Sequence, residues 1–321
     1  MPELPEVQTT ASKLNELLPG LKIIDVWSDY FSSLYVGKDQ IKNKKYFSDF
    51  KKSVIGSKVI SVSRRAKNVL IHLSSGKTIL VHMKMTGHLL YGSYSERKTI
   101  KKNQESKIPE VWLKEKWVPN ENKESLLWDS YNRFIHLVFS LSNGKSLVLS
   151  DVRKFAKVAI FESLNHEESK HLRHLGPEPL EENFTFSIFK GRILKKPKGK
   201  IKTVLMDQEI LAGVGNIYSD EVLFEAGIHP ESVVSKIPES MLQDIFKSIK
   251  ILLNKGINFR GDSMSDYRMP NGEKGEFQNH HKVYRKTGAK CPKKNCGGII
   301  SRIKVGGRSG HFCPKHQKKF V

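Results

Sequence analysis

The first residues of the chain, MPELPEV, place a proline directly behind the initiator methionine, with a glutamate next to it. If Met1 is removed, Pro2 presents a secondary α-amine, which titrates near pH 8, well below the value of about 10.4 for lysine. A neutral fraction of this amine can attack a sugar C1′ and form an iminium ion. Glu3 beside it can serve as a general acid or base. On these residues alone, the alternative is that the segment only starts a helix, with Pro5 in its first turn.

A second set of reactive groups lies near the C-terminus. The chain has three cysteines, Cys291, Cys296 and Cys313, and His316 follows the last of them at knuckle spacing. Two short knuckles joined by a glycine-containing hairpin are typical of a tetrahedral zinc site, and the metal would supply the folding energy of a segment with few apolar residues. We therefore expect one structural Zn²⁺ held by these four residues, with His311 as the alternative fourth ligand. Reduced structural cysteines without a metal are the other interpretation.

The charge balance indicates the kind of partner. The 321 residues include 55 Lys and Arg against 33 Asp and Glu, which gives a formal net charge of +22. A positive field of this size favours a polyanion, and nucleic acid is the usual one. No apolar run is long enough to span a bilayer, and no basic amphipathic helix suits a membrane surface. We expect a soluble intracellular protein that binds nucleic acid; a basic protein without such a partner is the alternative.

The pattern of apolar residues predicts an α+β fold. A helix is expected from Pro5 to about Leu18, and mostly β-structure from Lys22 to about Glu162, with hairpin turns at Ser-Ser-Gly-Lys and Ser-Asn-Gly-Lys that suggest an antiparallel sandwich. After LGPEPLEEN, which has the composition of a linker, the pattern becomes helical. Its clearest helix is PESMLQDIFKSIKILLNKG, expected to end at Gly256. The polar, Lys-rich stretch from Gly92 to about Leu127 is interpreted as a solvated loop insertion, whose lysines could instead contact nucleic acid.

Two further segments could bind phosphate. Arg308, in VGGRSG, stands at the tip of a glycine-flanked hairpin and can present a planar guanidinium to a phosphate, although an ordinary surface arginine fits equally well. In LAGVGNIYSDEVLF a helix begins near Asn216, which could be its N-cap. The free N–H groups of a helix start also favour an anion, but capping alone would explain this segment.

Together these segments resemble the formamidopyrimidine-DNA glycosylase family, which includes endonuclease VIII. The resemblance rests on PELPEV, SRRAKNVLIHL, HMKMTGHL, SDVRKF, LGPEPL, MDQEILAGVGNIYSDEVLFEAGIHP and the zinc finger with GGR, in family order. It implies an N-terminal antiparallel β-sandwich over 1–175, a linker over 176–185, a helix–two-turn–helix domain over 186–284 and a β-hairpin zinc finger over 285–321. The implied partner is damaged double-stranded DNA, which the protein would bind in a cleft as a monomer. No association with a membrane is implied.

The resemblance also implies a bifunctional enzyme of base excision repair, a glycosylase and abasic-site lyase. Pro2 would displace the damaged base and form a Schiff base, and β- and then δ-elimination would cut the strand on both sides of the sugar. Glu3 carries over as the acid that protonates the sugar ring oxygen, and Glu6 as a supporting acid. Lys67, in RRAKN, matches the family lysine that contacts the backbone next to the lesion.

Flipping a nucleotide out of a duplex leaves a hole in the base stack, which in this family a Met, an Arg and a Phe fill. Met85 in HMKMTG and Arg153 and Phe155 in DVRKF match them, although ordinary strand core would explain the apolar pair taken alone. Asn216 and Arg308 match the residues that clamp the phosphates beside the flipped nucleotide. The presence of Met85, Arg153 and Phe155 together favours the formamidopyrimidine branch of the family, which acts on oxidised purines, with cytosine as the partner base. An endonuclease VIII-like enzyme for oxidised pyrimidines and a non-catalytic binder of damaged DNA stay open.

The chain departs from the family pattern at several positions. His316 stands where the family has a fourth cysteine, and VRKF replaces the usual Pro-Arg-Arg-Phe. The loop FRGDSMSDYRMPNGEKGEFQ covers the base pocket in relatives. Its Arg260, Asp262 and Arg268 differ from the usual set, which leaves the base preference open.

Overall fold

The computed structural model describes residues 1–99, 108–163 and 169–321. The chain forms two compact units. The first unit consists of Met1–Pro2, Glu6–Ser169 and Arg260–Gly275, and the second of Glu3–Pro5, Lys170–Phe259 and Glu276–Val321. Within the described residues, no helix combines the length and the apolar character that crossing a bilayer would require.

The first unit contains two four-stranded antiparallel sheets. Its elements in chain order, together with the helix that opens the chain, are α1 (Leu4–Leu17), β1 (Ile23–Ser28), α2 (Lys44–Val54), β2 (Val59–Arg65), β3 (Asn68–Leu73), β4 (Lys77–His82), β5 (His88–Gly92), β6 (Tyr94–Glu96), β7 (Trp117–Pro119), β8 (Ile135–Leu141), β9 (Ser146–Ser150) and β10 (Lys157–Glu162). One sheet has the order β1-β8-β9-β5 and the other β10-β4-β3-β2. The hairpins β3–β4 and β8–β9 turn at the two predicted glycine-containing sequences, so the expected antiparallel sandwich is confirmed.

Helix α1 covers the core of this sandwich with one face. Val7, Ala11, Leu14 and Leu18 recur three or four residues apart and are all at most 1% exposed. This spacing gives a helix one continuous apolar stripe. These residues share a core with the inward side chains of both sheets, which confirms the helix predicted near the N-terminus.

Helix α2 interrupts the region from Lys22 to about Glu162 that was expected to be mostly β-structure. The side chain of Asn43 accepts a hydrogen bond from the Lys45 N–H and caps the helix start, as Asn does in many helices. Phe50 and Val54 are buried on one helix face. The helical period is hard to recognise in KKYFSDFKKSV because lysines outnumber the buried apolar positions.

The expectation of a solvated loop over Gly92–Leu127 is also wrong for the part that the structure describes; residues 100–107 lie outside it. Strands β6 and β7 form a small antiparallel sheet. Trp112 is fully buried, and its indole N–H donates to the Trp128 carbonyl oxygen at 3.1 Å. Trp112 and Leu127 belong to a separate apolar cluster. The tryptophans of this stretch therefore form a core of their own.

The second unit is mainly helical and ends in a hairpin. Its elements are α3 (Phe186–Ile193), α4 (Ile201–Leu205), α5 (Asn216–Glu225), α6 (Glu239–Asn258), β11 (Ser301–Val305) and β12 (Arg308–Phe312). The predicted apolar stripe of α6 contributes to the core of this unit, with Leu242, Ile245, Ile249, Leu252 and Leu253 buried. The LGPEPLEEN segment lies within this unit, which includes the chain from Lys170, and the Gly176 N–H donates to the Gln208 carbonyl oxygen at 2.7 Å.

Gly256 does not end helix α6, which continues to Asn258. A Cβ atom at Gly256 would lie 2.3 Å from the Tyr218 hydroxyl oxygen and 2.8 Å from the Pro5 side chain. Real Cβ atoms do not approach other atoms so closely. The glycine therefore allows the start of α1 and a ring of α5 to approach the α6 backbone.

Candidate active site and zinc centre

Glu3 is bound at the start of helix α5. Its carboxylate accepts hydrogen bonds from the backbone N–H groups of Gly215 at 2.7 Å, Ile217 at 2.8 Å and Tyr218 at 3.3 Å, and the residue is 2% exposed. Gly215 is the N-cap and has no side chain, so Glu3 takes the part that a capping side chain would take. The expectation that Asn216 is the N-cap is wrong, because Asn216 is the first helical residue.

Two glycines allow this close approach. A Cβ atom at Gly215 would lie 2.4 Å from the Glu3 carboxyl carbon, and one at Gly213 would lie 2.6 Å from Leu4 Cβ. The Leu4 N–H donates to the Gly213 carbonyl oxygen at 3.0 Å. The two glycines of the Gly-Val-Gly sequence before α5 therefore make room for Glu3 and Leu4.

Glu6 is held by a different segment, the loop 260–275 of the first unit. Its carboxylate accepts the Asp262 N–H at 2.7 Å, and its carbonyl oxygen accepts the Tyr267 hydroxyl at 3.0 Å. In the same loop the buried guanidinium of Arg268 binds the Asp129 carboxylate at 3.1 Å. Arg268 thus fixes the loop.

Lys67 is the second residue of the two-residue turn that joins β2 and β3. Ala66 in this turn has a left-handed backbone with φ of 53°. The Arg64 guanidinium donates to the Ala66 carbonyl oxygen at 3.0 Å, and the Asn68 amide donates to the Arg65 carbonyl oxygen at 3.0 Å. These bonds fix the backbone on both sides of Lys67, which is 5% exposed.

A row of polar residues crosses one end of the second sheet next to Lys67. Lys157, His82 and Asn68 lie opposite one another on β10, β4 and β3. Loss of hydration, followed by the positive charges of Lys84, Lys67 and Lys157, lowers the pKa of His82 to about 3. A neutral imidazole among lysines leaves a positive edge suited to phosphate.

Met85, Arg153 and Phe155 are the candidate wedge residues, the side chains expected to fill the gap in the base stack. They lie at the surface, in the loops that follow β4 and precede β10. Met85 is 39% and Phe155 is 46% exposed. The Arg153 guanidinium lies over the Phe155 ring, 4.3 Å from its centroid, as in a cation–π pair. The alternative that Met85 and Phe155 are ordinary strand core does not hold, since both are outside the strands and exposed.

Arg308 and Asn216 lie close together in the second unit. Arg308 is exposed directly after Gly306 and Gly307, whose left-handed φ angles of 55° and 78° form the hairpin turn. The Asn216 amide donates to the hydroxyl of Ser309, the residue after Arg308, at 3.3 Å. The structure therefore places both candidate phosphate contacts at one end of the hairpin β11–β12.

A buried ionic network behind this hairpin was not apparent from the sequence. The Lys202 ammonium binds the Asp220 carboxylate at 2.6 Å and the Ser219 hydroxyl at 2.9 Å. The other Asp220 oxygen accepts both the His311 N–H and the His311 ring Nδ1, each at 2.9 Å. Three separate segments contribute these residues, so no local pattern could reveal them. His311, the alternative zinc ligand, is thereby bound through Nδ1 to a carboxylate.

The three cysteines form a cluster whose dimensions fit zinc. Their sulfur atoms lie within 4.8 Å of one another, and those of Cys296 and Cys313 are 3.6 Å apart. Sulfur ligands about 2.3 Å from a tetrahedral zinc ion lie about 3.8 Å from one another, whereas a disulfide is about 2.05 Å long. A Cβ atom at Gly298 would lie 2.5 Å from the Cys313 sulfur, so the glycine keeps this space open.

The structure does not bring His316 into this cluster, since its ring nitrogens do not lie within 4.8 Å of all three sulfur atoms. Its Nε2 is 2.9 Å from the Phe224 carbonyl oxygen, and the two rings pack edge to face with centroids 4.9 Å apart. A metal-ligating histidine usually donates its other ring N–H to such a carbonyl, which leaves Nδ1 for the metal. The role of His316 as fourth ligand stays a prediction.

Three family models together match most of the chain. The formamidopyrimidine-DNA glycosylase N-terminal domain matches residues 1–158, the formamidopyrimidine-DNA glycosylase H2TH domain matches 175–268, and a zinc finger found in FPG and IleRS matches 288–315. The chain belongs to the formamidopyrimidine-DNA glycosylase family. The zinc-finger match shows that the C-terminal segment is a zinc finger, and it ends one residue before His316.

Individual members of the formamidopyrimidine-DNA glycosylase family are similar over their full length. The chain is 35% identical to the formamidopyrimidine-DNA glycosylase of Pelotomaculum thermopropionicum over 318 residues, 99% of each chain. It is 32% identical to that of Listeria innocua, over 99% of this chain and 100% of the relative. A solved complex of Lactococcus lactis Fpg with DNA containing an abasic site is 30% identical and covers 99% of this chain and 100% of its own, with a TM-score of 0.78.

Proposed function

We propose that this chain is a bifunctional DNA glycosylase and abasic-site lyase that removes oxidised purines, 8-oxoguanine and formamidopyrimidines, from duplex DNA. The observation that carries this proposal is the carboxylate of Glu3. This carboxylate is buried and fixed by three backbone N–H groups. Glu3 directly follows Pro2, whose amine is the candidate nucleophile. A preorganised acid beside a nucleophile is the arrangement that covalent catalysis at a sugar requires.

In the first step the Pro2 nitrogen, freed by removal of Met1, attacks C1′ of the damaged nucleotide. The C1′–N bond of the base breaks, and its electron pair leaves with the base, which takes up a proton from water. As it bonds C1′, the Pro2 nitrogen loses its own proton to the Glu3 carboxylate. Glu3 passes this proton to the sugar ring oxygen, so the ring opens and the C1′–N bond to Pro2 becomes an iminium ion. This positive charge makes the C2′ hydrogen acidic.

In the following steps the strand is cut on both sides of the sugar. Loss of the C2′ proton expels the 3′ phosphate, and a second elimination expels the 5′ phosphate. Water then hydrolyses the remaining iminium and releases Pro2. Lys67, Asn216 and Arg308 hold the phosphates near the reacting sugar, and Glu6 supports the acid–base steps at the N-terminus.

Recognition of a base inside a duplex requires that its nucleotide leave the stack. Met85, Arg153 and Phe155 fill the gap that remains, because exposed apolar side chains lower the free energy of the unstacked duplex. Arg153 hydrogen-bonds the orphaned cytosine. DNA binding also depends on the phosphate contacts of Lys67, Asn216 and Arg308, so the affinity for DNA should fall steeply as the salt concentration rises.

The zinc ion has a structural part in this proposal. Cys291, Cys296, Cys313 and His316 would hold it, and it would keep the hairpin of Arg308 folded. We further propose that the protein acts as a monomer inside a prokaryotic cell, in association with the nucleoid. Its domains are 1–175, 186–284 and 285–321, with 176–185 as the linker.

A panel of lesions tests the substrate class. We expect rapid strand cleavage of duplexes that contain 8-oxoguanine or a formamidopyrimidine opposite cytosine, at least about tenfold faster than of a thymine glycol duplex, since a tenfold ratio needs only about 1.4 kcal/mol of differential transition-state binding. Faster cleavage of thymine glycol would favour the endonuclease VIII-like alternative. Binding to a tetrahydrofuran-site duplex without any nick at a true abasic site would favour a non-catalytic binder.

Metal analysis tests the zinc centre. We expect about one zinc per chain, and we expect Cys313→Ser to lose both the metal and the folded hairpin, because such sites derive their folding energy from the ion. His316→Ala should retain the fold but release zinc more readily to a chelator, and His316→Cys should restore retention. Fully active protein with much less than one zinc per chain would contradict a structural role.

A further inference from the structure

The two loops that carry the wedge residues are joined by a buried polar network. The Thr86 hydroxyl, in the loop of Met85, donates to the Asp151 carboxylate at 2.5 Å. The same hydroxyl oxygen accepts the backbone N–H of Arg153, in the other loop, at 3.3 Å. The Thr86 side chain thus links the loop of Met85 to the backbone of the loop of Arg153.

Asp151 is the centre of this network. Its second carboxylate oxygen accepts the Ala156 N–H at 2.8 Å and the Tyr30 hydroxyl at 3.0 Å. Asp151 is fully buried, and Thr86 and Tyr30 are at most 8% exposed. Burial, and then the charge of Asp151, raises the pKa of Tyr30 well above its usual value, so the Tyr30 hydroxyl stays a donor. A buried carboxylate that loses a donor is left partly unsatisfied, which is expensive in free energy.

The backbone of both loops needs such support. Lys84, directly before Met85, has φ of 57°, and Lys154, between Arg153 and Phe155, has φ of 52°. Residues other than glycine adopt this left-handed conformation only where surrounding contacts enforce it. Both strained residues are next to a wedge residue, so the strain and the network occur at the same place.

We propose that Thr86 and Asp151 are positioning residues that hold the Met85 loop and the Arg153–Phe155 loop in one preformed arrangement. This inference rests on the proposed function, because it concerns how the gap left by a flipped nucleotide is filled. A wedge held ready before DNA binds does not have to be ordered during flipping, and preorganisation of this kind strengthens binding of the flipped state. Neither residue contacts the reacting sugar in this account.

Thr86→Val tests the proposal, because valine has the shape of threonine without the hydroxyl. We expect the single-turnover excision rate on an 8-oxoguanine·cytosine duplex to fall about ten- to one-hundredfold, the range that one unsatisfied buried acceptor implies. Borohydride trapping on a single-stranded abasic oligonucleotide, which has no stack to open, should fall less than about threefold. Thr86→Ser keeps the hydroxyl and should restore duplex excision.

The matched control is Thr78→Val, which removes a fully buried hydroxyl bound to His72 and Ser163 in the same sandwich. It should leave duplex excision within about threefold of the wild type, as expected away from the wedge. Unchanged duplex excision by Thr86→Val, or an equal loss on both substrates, would overturn the proposal. Absence of trapping by the wild type on the abasic strand would instead overturn the proposed function, and this inference with it.

Discussion

A chain that retains Met1 is expected to lose base excision and borohydride trapping by about 1,000-fold or more, a conservative figure for removal of a covalent nucleophile. In the retained form the Pro2 nitrogen belongs to a peptide bond, and its electron pair is delocalised into the Met1 carbonyl. It cannot attack C1′. Once Met1 is removed, the same nitrogen is a secondary amine with a pKa near 8 in an unperturbed chain.

Two chains released from the same cleavable fusion provide the comparison, one beginning at Met1 and the other at Pro2. Intact-mass measurement establishes each N-terminus, and the trapped complex with an 8-oxoguanine duplex is quantified on a gel. Pro2→Gly, which keeps an amine without the ring that orients it, should also trap much less. A normal yield from the Met1 chain would rule out the proposed nucleophile.

Glu3→Gln should lower base excision by about 100- to 10,000-fold, the usual contribution of a positioned acid or base. Glutamine keeps the size of the side chain but cannot protonate the ring oxygen, and its NH₂ group would face backbone N–H donors that now bind a carboxylate. Cleavage at a preformed abasic site should fall far less, because part of that sugar is already an open-chain aldehyde. Single-turnover rates on the two substrates measure the difference.

Glu16→Gln is the matched control for this variant, since Glu16 lies on helix α1, which directly follows Glu3, and forms an exposed pair with Lys13. It should leave both rates unchanged, as surface substitutions usually do. Equal losses of excision and abasic-site cleavage by Glu3→Gln would mean that Glu3 maintains the start of helix α5 and does not act as the acid.

The regular elements of the fold could be predicted where one residue pattern dominates. The glycine turns of β3–β4 and β8–β9 and the stripe of α6 follow from local spacing alone. Helix α2 was missed because its lysines obscure the period. The tryptophan cluster around Trp112 was missed because its members come from short segments that individually look like loop.

The candidate site was predicted in its residue types but not in its contacts. Pro2 and Glu3 are recognisable from their positions, yet the sequence could not show that Glu3 binds the backbone of α5, more than 200 residues away. Gly213 and Gly215 were the available signal. The Lys202–Asp220–His311 network and the Thr86–Asp151 bond join distant segments, and only tertiary structure could reveal them.

The most direct test of the central claim is to locate the covalent bond. The borohydride-reduced complex of the chain beginning at Pro2 with an 8-oxoguanine·cytosine duplex is digested, and the peptide that carries the sugar remnant is sequenced by mass spectrometry. The proposed mechanism places the remnant on the nitrogen of Pro2 in the N-terminal peptide. A remnant on a lysine such as Lys67, or no covalent complex at all, would contradict it.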